Sequence, residues 1–204
     1  MEIYRDIIQG SPEWNALRIG SIGGSSISKA VAGGQGKTRI QLMYDLVGEI
    51  LSGQKKEGYV SQDMLAGIEN EAKARDLYSS IYDVEIEQIG LIKYSEFKHY
   101  SPDGLISPVG MAEIKYAIPS VFVETKATGK IATDRRRQMQ YGMGVCNREW
   151  CDYIMYCPAV EKTVDPLFVI HVQRDEKEIE WLNAECDKFI NDMKSLLLTI
   201  MKGG

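Results

Sequence analysis

The stretch from Ser101 to Lys115, SPDGLISPVGMAEIK, constrains the fold more tightly than any other part of this chain. Pro102 and Gly104 mark the end of one extended segment and a turn, which places Asp103 at a strand end and off the solvated faces. Ten residues later comes Glu113-Ile114-Lys115. Side chains alternate along a strand, so Glu113 and Lys115 share a face while Ile114 points into the sheet. The Ile114 main-chain carbonyl is then available as a ligand. Two carboxylates and a carbonyl make a hard oxygen set suited to Mg²⁺ or Mn²⁺, beside which a lysine can orient or deprotonate a water that attacks a phosphodiester. A plain surface hairpin with scattered charges would show the same spacing, so the rest of the chain has to decide.

A length of 204 residues fits one domain, 1–204, with room for a substantial core. The start, MEIYRDIIQG, lacks the basic and apolar regions of a signal peptide, and no apolar run reaches membrane-spanning length. A cytoplasmic protein with no membrane partner is expected. The formal net charge of −5 argues against an all-round basic coat, yet leaves room for a local basic channel.

Ser11-Pro12 reads as an N-cap followed by proline in the first turn of a short helix through Leu17. Apolar residues recur at helical spacing from about Thr38 to Leu51, where Ser52-Gly53 stops the run, and again from about Ser61 to Tyr82. The second of these helices carries Glu69, Glu71, Lys73 and Arg75. VEIEQIGLIKY, SPDGLIS, GMAEIKY, EWCDYIMYC and PLFVIHVQ read as strands, broken by a helix near Asp134 to Val145, and a long helix fills Asp175 to Met201. These elements give an α/β domain with a mixed central sheet flanked by helices.

Three other features carry less chemistry. GGQGKT resembles a phosphate-binding loop, but the motif needs a glycine where this chain has Val31. Cys146, Cys151, Cys157 and Cys186 are separated by four, five and twenty-eight residues, spacings unsuited to an iron-sulfur cluster, and read as structural thiols. The only histidines, His99 and His171, do not make a zinc site.

Five blocks, WNALRIGSIGGSS, GIENEAKARDLY, SPDGL with EIK, QMQYGMGV and VQRDEKEIEWL, run in order over nearly the whole chain. In order and spacing they resemble lambda exonuclease and the YqaJ-like viral recombinase nucleases of the PD-(D/E)XK superfamily. The resemblance implies a restriction-endonuclease-like core and an Mg²⁺-dependent 5′-to-3′ exonuclease, with Mn²⁺ as a substitute. Such an enzyme degrades one strand of duplex DNA from a 5′-phosphorylated end and works as a homotrimer beside a single-strand annealing protein in a bacterial host cytoplasm. It implies Asp103 and Glu113 as metal ligands with the Ile114 carbonyl, and Lys115 as the residue acting on the water. Glu71 falls where the family has a helix glutamate near a second metal or its water. Gln140 matches a family glutamine near the catalytic lysine, although Gln138, two positions earlier, is the alternative. Arg18 and Ser25 fall in the 5′-phosphate pocket, with Ser26 one register away. Arg135, Arg136 and Arg137 are expected on the DNA backbone. Glu124-Thr125-Lys126 repeats the Glu-X-Lys pattern, twenty-one residues after Asp103, and ranks below Glu113 and Lys115. The alternatives are a structure- or sequence-specific endonuclease on the same core, for which an end-binding Arg18 has no use, and a non-catalytic DNA-binding module, which the intact set of Asp103, Glu113, Lys115 and Glu71 disfavours.

Overall fold

The computed structural model describes residues 1–33, 36–56 and 62–203, with the side chains of 62–66 and 68 left out. Part of GGQGKT, the expected helix start at Ser61, and the side chains of Leu65 and Ile68 therefore lie outside the described residues. The chain runs β1 (Glu2–Tyr4), α1 (Pro12–Leu17), a 3₁₀ turn at Gly24–Ser26, α2 (Ile27–Ala30), α3 (Lys37–Ser52) and α4 (Gln62–Tyr82). It continues through β2 (Ile86–Glu87), β3 (Leu91–Ser95), β4 (Lys98–Tyr100), β5 (Gly104–Ile106), β6 (Gly110–Tyr116), α5 (Pro119–Thr128) and α6 (Thr133–Cys146). The last elements are β7 (Trp150–Tyr156), β8 (Leu167–Gln173) and α7 (Glu176–Met201).

The larger sheet has the order β2-β5-β6-β7-β8, and β6 with β7 is its one parallel pair. Parallel neighbours need a long crossover, and α5 with α6 supplies it. Because β6 and β7 lie inside the sheet, both of their faces are covered. Met111, Tyr153 and Met155 pack toward Met139 and Phe189 of α6 and α7, while Ala112, Ile114 and Ile154 pack toward Ala74 and Tyr78 of α4. The mixed α/β layering expected from the sequence is present.

The smaller sheet, β1-β3-β4, was not foreseen. VEIEQIGLIKY does not form one strand: Ile86–Glu87 joins the large sheet and Leu91–Ser95 the small one. Between them Gly90 donates its N–H to Tyr4 O and passes so close to Ile7 that any side chain would collide with it. The helix ends follow their sequence signals. Ser11 Oγ accepts from the Trp14 N–H, Asp175 accepts from the Glu178 N–H, and Gly53 ends α3 at φ 66°.

Candidate active site

β5 has three residues and β6 has seven, so β6 outruns its neighbour after Ala112. The Ile114 N–H and C=O therefore lie beyond the ladder, and side chains take them. Asp103, immediately before β5, accepts the Ile114 N–H on Oδ2 at 2.6 Å. The Lys115 ammonium donates to the Ile114 carbonyl at 2.9 Å and lies 2.5 Å from Glu113 Oε1 and 3.5 Å from Asp103 Oδ2. One cation thus converges on the three oxygens that the sequence pattern singled out.

Glu113 is almost fully buried and accepts two further hydrogen bonds, from Tyr100 OH at 2.6 Å and from Gln138 Nε2 at 2.5 Å. Sequence reasoning missed Tyr100, because a three-residue strand carries no periodicity to read. The choice between the two glutamines goes against the expectation. Gln140 is wholly buried, donates to Gln173 O at 2.8 Å and accepts from the Asp175 N–H at 2.9 Å. It ties α6 to the β8–α7 junction, while Gln138 reaches Glu113. Two positions along a helix is a rotation of about 200°, so only one of the pair could face the site.

Glu71 on α4 lines a cavity of about 700 Å³ together with Asp103, Trp14, Gln9, Arg75 and Gln88. Arg75 holds the Glu71 carboxylate at 2.5 Å. Burial pushes the Asp103 carboxyl up to about 7. Lys115 and the Ile114 N–H pull it down, and the negative charges of Glu113 and Glu71 push it further up. Burial alone would lower the Lys115 pKa, but Asp103 and Glu113 outweigh it and hold the ammonium above its ordinary range. Lys115 in this arrangement can donate to a water or a phosphate oxygen.

The donor set fits a hard divalent cation. The Asp103 and Glu113 carboxylates and the Ile114 carbonyl converge on the Lys115 ammonium, while Glu71, paired with Arg75, lines the same cavity as Asp103. No three His, Cys, Asp or Glu side chains among the described residues form a metal cage by themselves, so the Ile114 carbonyl is needed to complete a set. The cysteines are free and buried, and burial keeps the thiols of Cys146 and Cys186 protonated, pushed up to about 12. His171 sits apart on Asp152, at 2.6 Å.

Arg18, at the end of α1, lies 3.5 Å over the Trp14 ring and donates through Nε to His99 Nε2 at 3.1 Å. Among the described residues no carboxylate pairs with it, and Glu49, whose charge reaches it, is committed to Lys55 at 2.8 Å. Burial lowers the guanidinium to about 10, which leaves it charged at neutral pH. The 3₁₀ turn packs on the same strand: a Cβ on Gly23 would stand 2.5 Å from His99 Nε2, so glycine is required for this approach. Within the turn, Ser26 Oγ is engaged with both N–H and C=O of Gly23 at 3.0 Å, whereas Ser25 is exposed. The capping serine is therefore Ser26, and Ser25 is the one left for a ligand.

The arginine run divides. Arg136 bonds Glu178 at 2.8 Å and Asp175 at 3.2 Å, and Arg137 stacks 5.1 Å over Trp181, so both are spent on α7. The sequence placed all three on the DNA backbone; Arg136 and Arg137 also carry these contacts to α7. Arg135 has only a loose contact with Asp134 at 3.9 Å, and its charge is felt by Lys115 and Tyr153. Glu124 and Lys126 lie on α5, where the Lys126 ammonium stacks over Phe122 and Phe168, away from any extended Glu-X-Lys geometry.

A mixed sheet that presents Asp103 beside a strand-borne Glu113-Ile114-Lys115 defines a nuclease with a PD-(D/E)XK-type core. The profile of the YqaJ-like viral recombinase domain matches residues 13–149, and the chain belongs to that family. The crystal structure of an alkaline exonuclease, LHK-Exo, from Laribacter hongkongensis is similar over 94% of this chain and 97% of its own, with 25% identity and a TM-score of 0.86. LHK-Exo in complex with dAMP matches with the same values. A phage related exonuclease from Haemophilus somnus 129PT shares the fold over 88% of this chain and 96% of its own, at 13% identity and a TM-score of 0.68. No curated protein sequence matches. No helix among the described residues is long and apolar enough to cross a membrane.

Proposed function

We propose that this nuclease is a divalent-metal-dependent 5′-to-3′ exonuclease that digests one strand of linear duplex DNA, with residues 1–204 acting as one domain. Asp103, Glu113 and the Ile114 carbonyl would hold Mg²⁺, or Mn²⁺ in its place, and Glu71 would contribute from the same cavity, directly or through water. The metal, when bound, supplies Lewis-acid stabilisation of phosphate charge. Lys115 donates a hydrogen bond that orients the attacking water or a phosphate oxygen. Tyr100 and Gln138 keep the buried Glu113 aimed, since each donates a hydrogen bond to its carboxyl group.

The observation that carries the reading is Arg18: a half-buried guanidinium with no carboxylate partner among the described residues, beside a serine-bearing turn. A partly buried cation without a countercharge gains when an anion completes it. A terminal 5′ phosphate, gripped by Arg18 with Ser25, suits that place, and Arg135 adds a phosphate contact near the centre. The 3′ single-stranded tracts left behind are substrates for a single-strand annealing protein. Assembly as a homotrimer in a bacterial host cytoplasm follows from the family resemblance.

The test is digestion of linear duplexes with 5′-phosphate or 5′-hydroxyl ends, beside a covalently closed circle of equal length. Phosphorylated linear DNA should disappear first and the circle should survive. Rapid nicking or linearisation of the circle would assign the same core to an endonuclease.

A further inference from the structure

His99 and Arg18 close a ring of hydrogen bonds. His99 Nε2 accepts from Arg18 Nε at 3.1 Å, which leaves the imidazole proton on Nδ1, where it is donated to Ser21 Oγ at 2.7 Å. The Ser21 hydroxyl donates in turn to the Arg18 carbonyl at 2.9 Å. Trp14 fixes the plane of the guanidinium by stacking, and its indole N–H is itself held by Gly90 O at 3.1 Å and Ser101 Oγ at 2.9 Å. With plane and edge both set, the terminal nitrogens of Arg18 have one direction left. A guanidinium pre-oriented in this way gives up less side-chain entropy when it binds.

The acceptor is unusual in kind. Buried arginines are ordinarily held by carboxylates, which orient the fork and cancel its charge together. A neutral imidazole orients it and leaves the charge whole. Burial and the nearby charge of Arg18 keep His99 neutral, its pKa well below the ordinary histidine value. Lys93, paired with His99 across β3 and β4, and Lys55 add positive charge and work in the same direction.

We propose that His99 is a positioning residue for end recognition: a neutral acceptor that aims Arg18 at the terminal 5′ phosphate without neutralising it. The proposal rests on the reading of Arg18 as the phosphate-holding group. The two fail separately in one experiment, which compares kcat/KM on linear duplexes with 5′-phosphate and 5′-hydroxyl ends for wild type, Arg18→Ala, His99→Gln and His99→Glu. Gln and Glu have the same shape and both present an acceptor oxygen near the Nε2 position. They differ in charge. His99→Gln should keep the phosphate preference within about threefold of wild type, whereas His99→Glu pairs with Arg18 and should lower it at least about tenfold, as Arg18→Ala does. His99→Leu, which removes the acceptor without adding charge, should also lower it and covers the case in which the glutamate variant does not fold. Thermal melting confirms folding of each protein. A preference retained in His99→Glu or His99→Leu, or lost equally in His99→Gln and His99→Glu, overturns the role of His99 while leaving Arg18 in place. A preference retained in Arg18→Ala removes Arg18 from the phosphate pocket and the proposal with it.

Discussion

Asp103→Asn should stabilise the protein in the absence of divalent metal, and by an amount that grows with pH. The Asp103 carboxyl titrates near 3.8 when unfolded and at about 7 in the fold, where burial is the main cause. A raised carboxyl means that the native state holds its proton more tightly than the unfolded chain. Below the unfolded value the group costs nothing, and stability is lost as pH rises toward the folded value. The cost is on the order of 1–2 kcal/mol at pH 5 and about twice that or more at pH 8. Asparagine removes the titration and can still accept the Ile114 N–H through its amide oxygen. Urea unfolding in EDTA at the two pH values reads the difference directly. Excess Mg²⁺ should then stabilise wild type through linked binding and leave the variant nearly unmoved. The reasoning is refuted if Asp103→Asn is no more stable than wild type at pH 8, or if its gain is the same at both pH values.

Gln138→Ala should lower single-turnover cleavage about 10- to 100-fold, because it removes a donor to the buried Glu113. Gln140→Ala should instead leave two partly buried main-chain groups without these partners and cost about 1–2 kcal/mol in urea unfolding, with cleavage by the folded fraction little changed. Arg135→Ala should reduce the salt dependence of DNA binding by about one unit of slope. Arg136→Ala, whose charge is engaged by Glu178 and Asp175, should not, and binding isotherms across a salt series separate the two.

The central motif was legible because its geometry is local. Strand alternation alone puts Glu113 and Lys115 on one face, and Pro102 with Gly104 places Asp103 at a strand end. The long helices were legible for the same reason, since an apolar stripe such as Ile179, Leu182, Cys186, Phe189 and Met193 has one way to be buried. What could not be read was rotation and partnership. Which of Gln138 and Gln140 turns inward depends on how α6 rolls against β8 and α7. The three successive arginines point about 100° apart on a helix, so one run divides among different neighbours. β4 was missed because three residues between turns carry no period, and the split of VEIEQIGLIKY falls beside Gly90, which packs against Ile7, a residue distant in sequence.

That short strand has a mechanical consequence. His99 and Tyr100 are adjacent, so they point to opposite faces of β4, one toward Arg18 and the other toward Glu113. Main-chain bonds to Ile22 brace it from the side, at 2.9 Å through Phe97 O and 3.0 Å through the His99 N–H. Like a caliper locked by its pivot, the strand holds the two residues at a set gauge, so a shift that moves one jaw moves the other. Deleting or inserting one residue within β4 would exchange its faces and unseat both jaws together, whereas the same change in the exposed loop between Gly129 and Thr133 would touch neither.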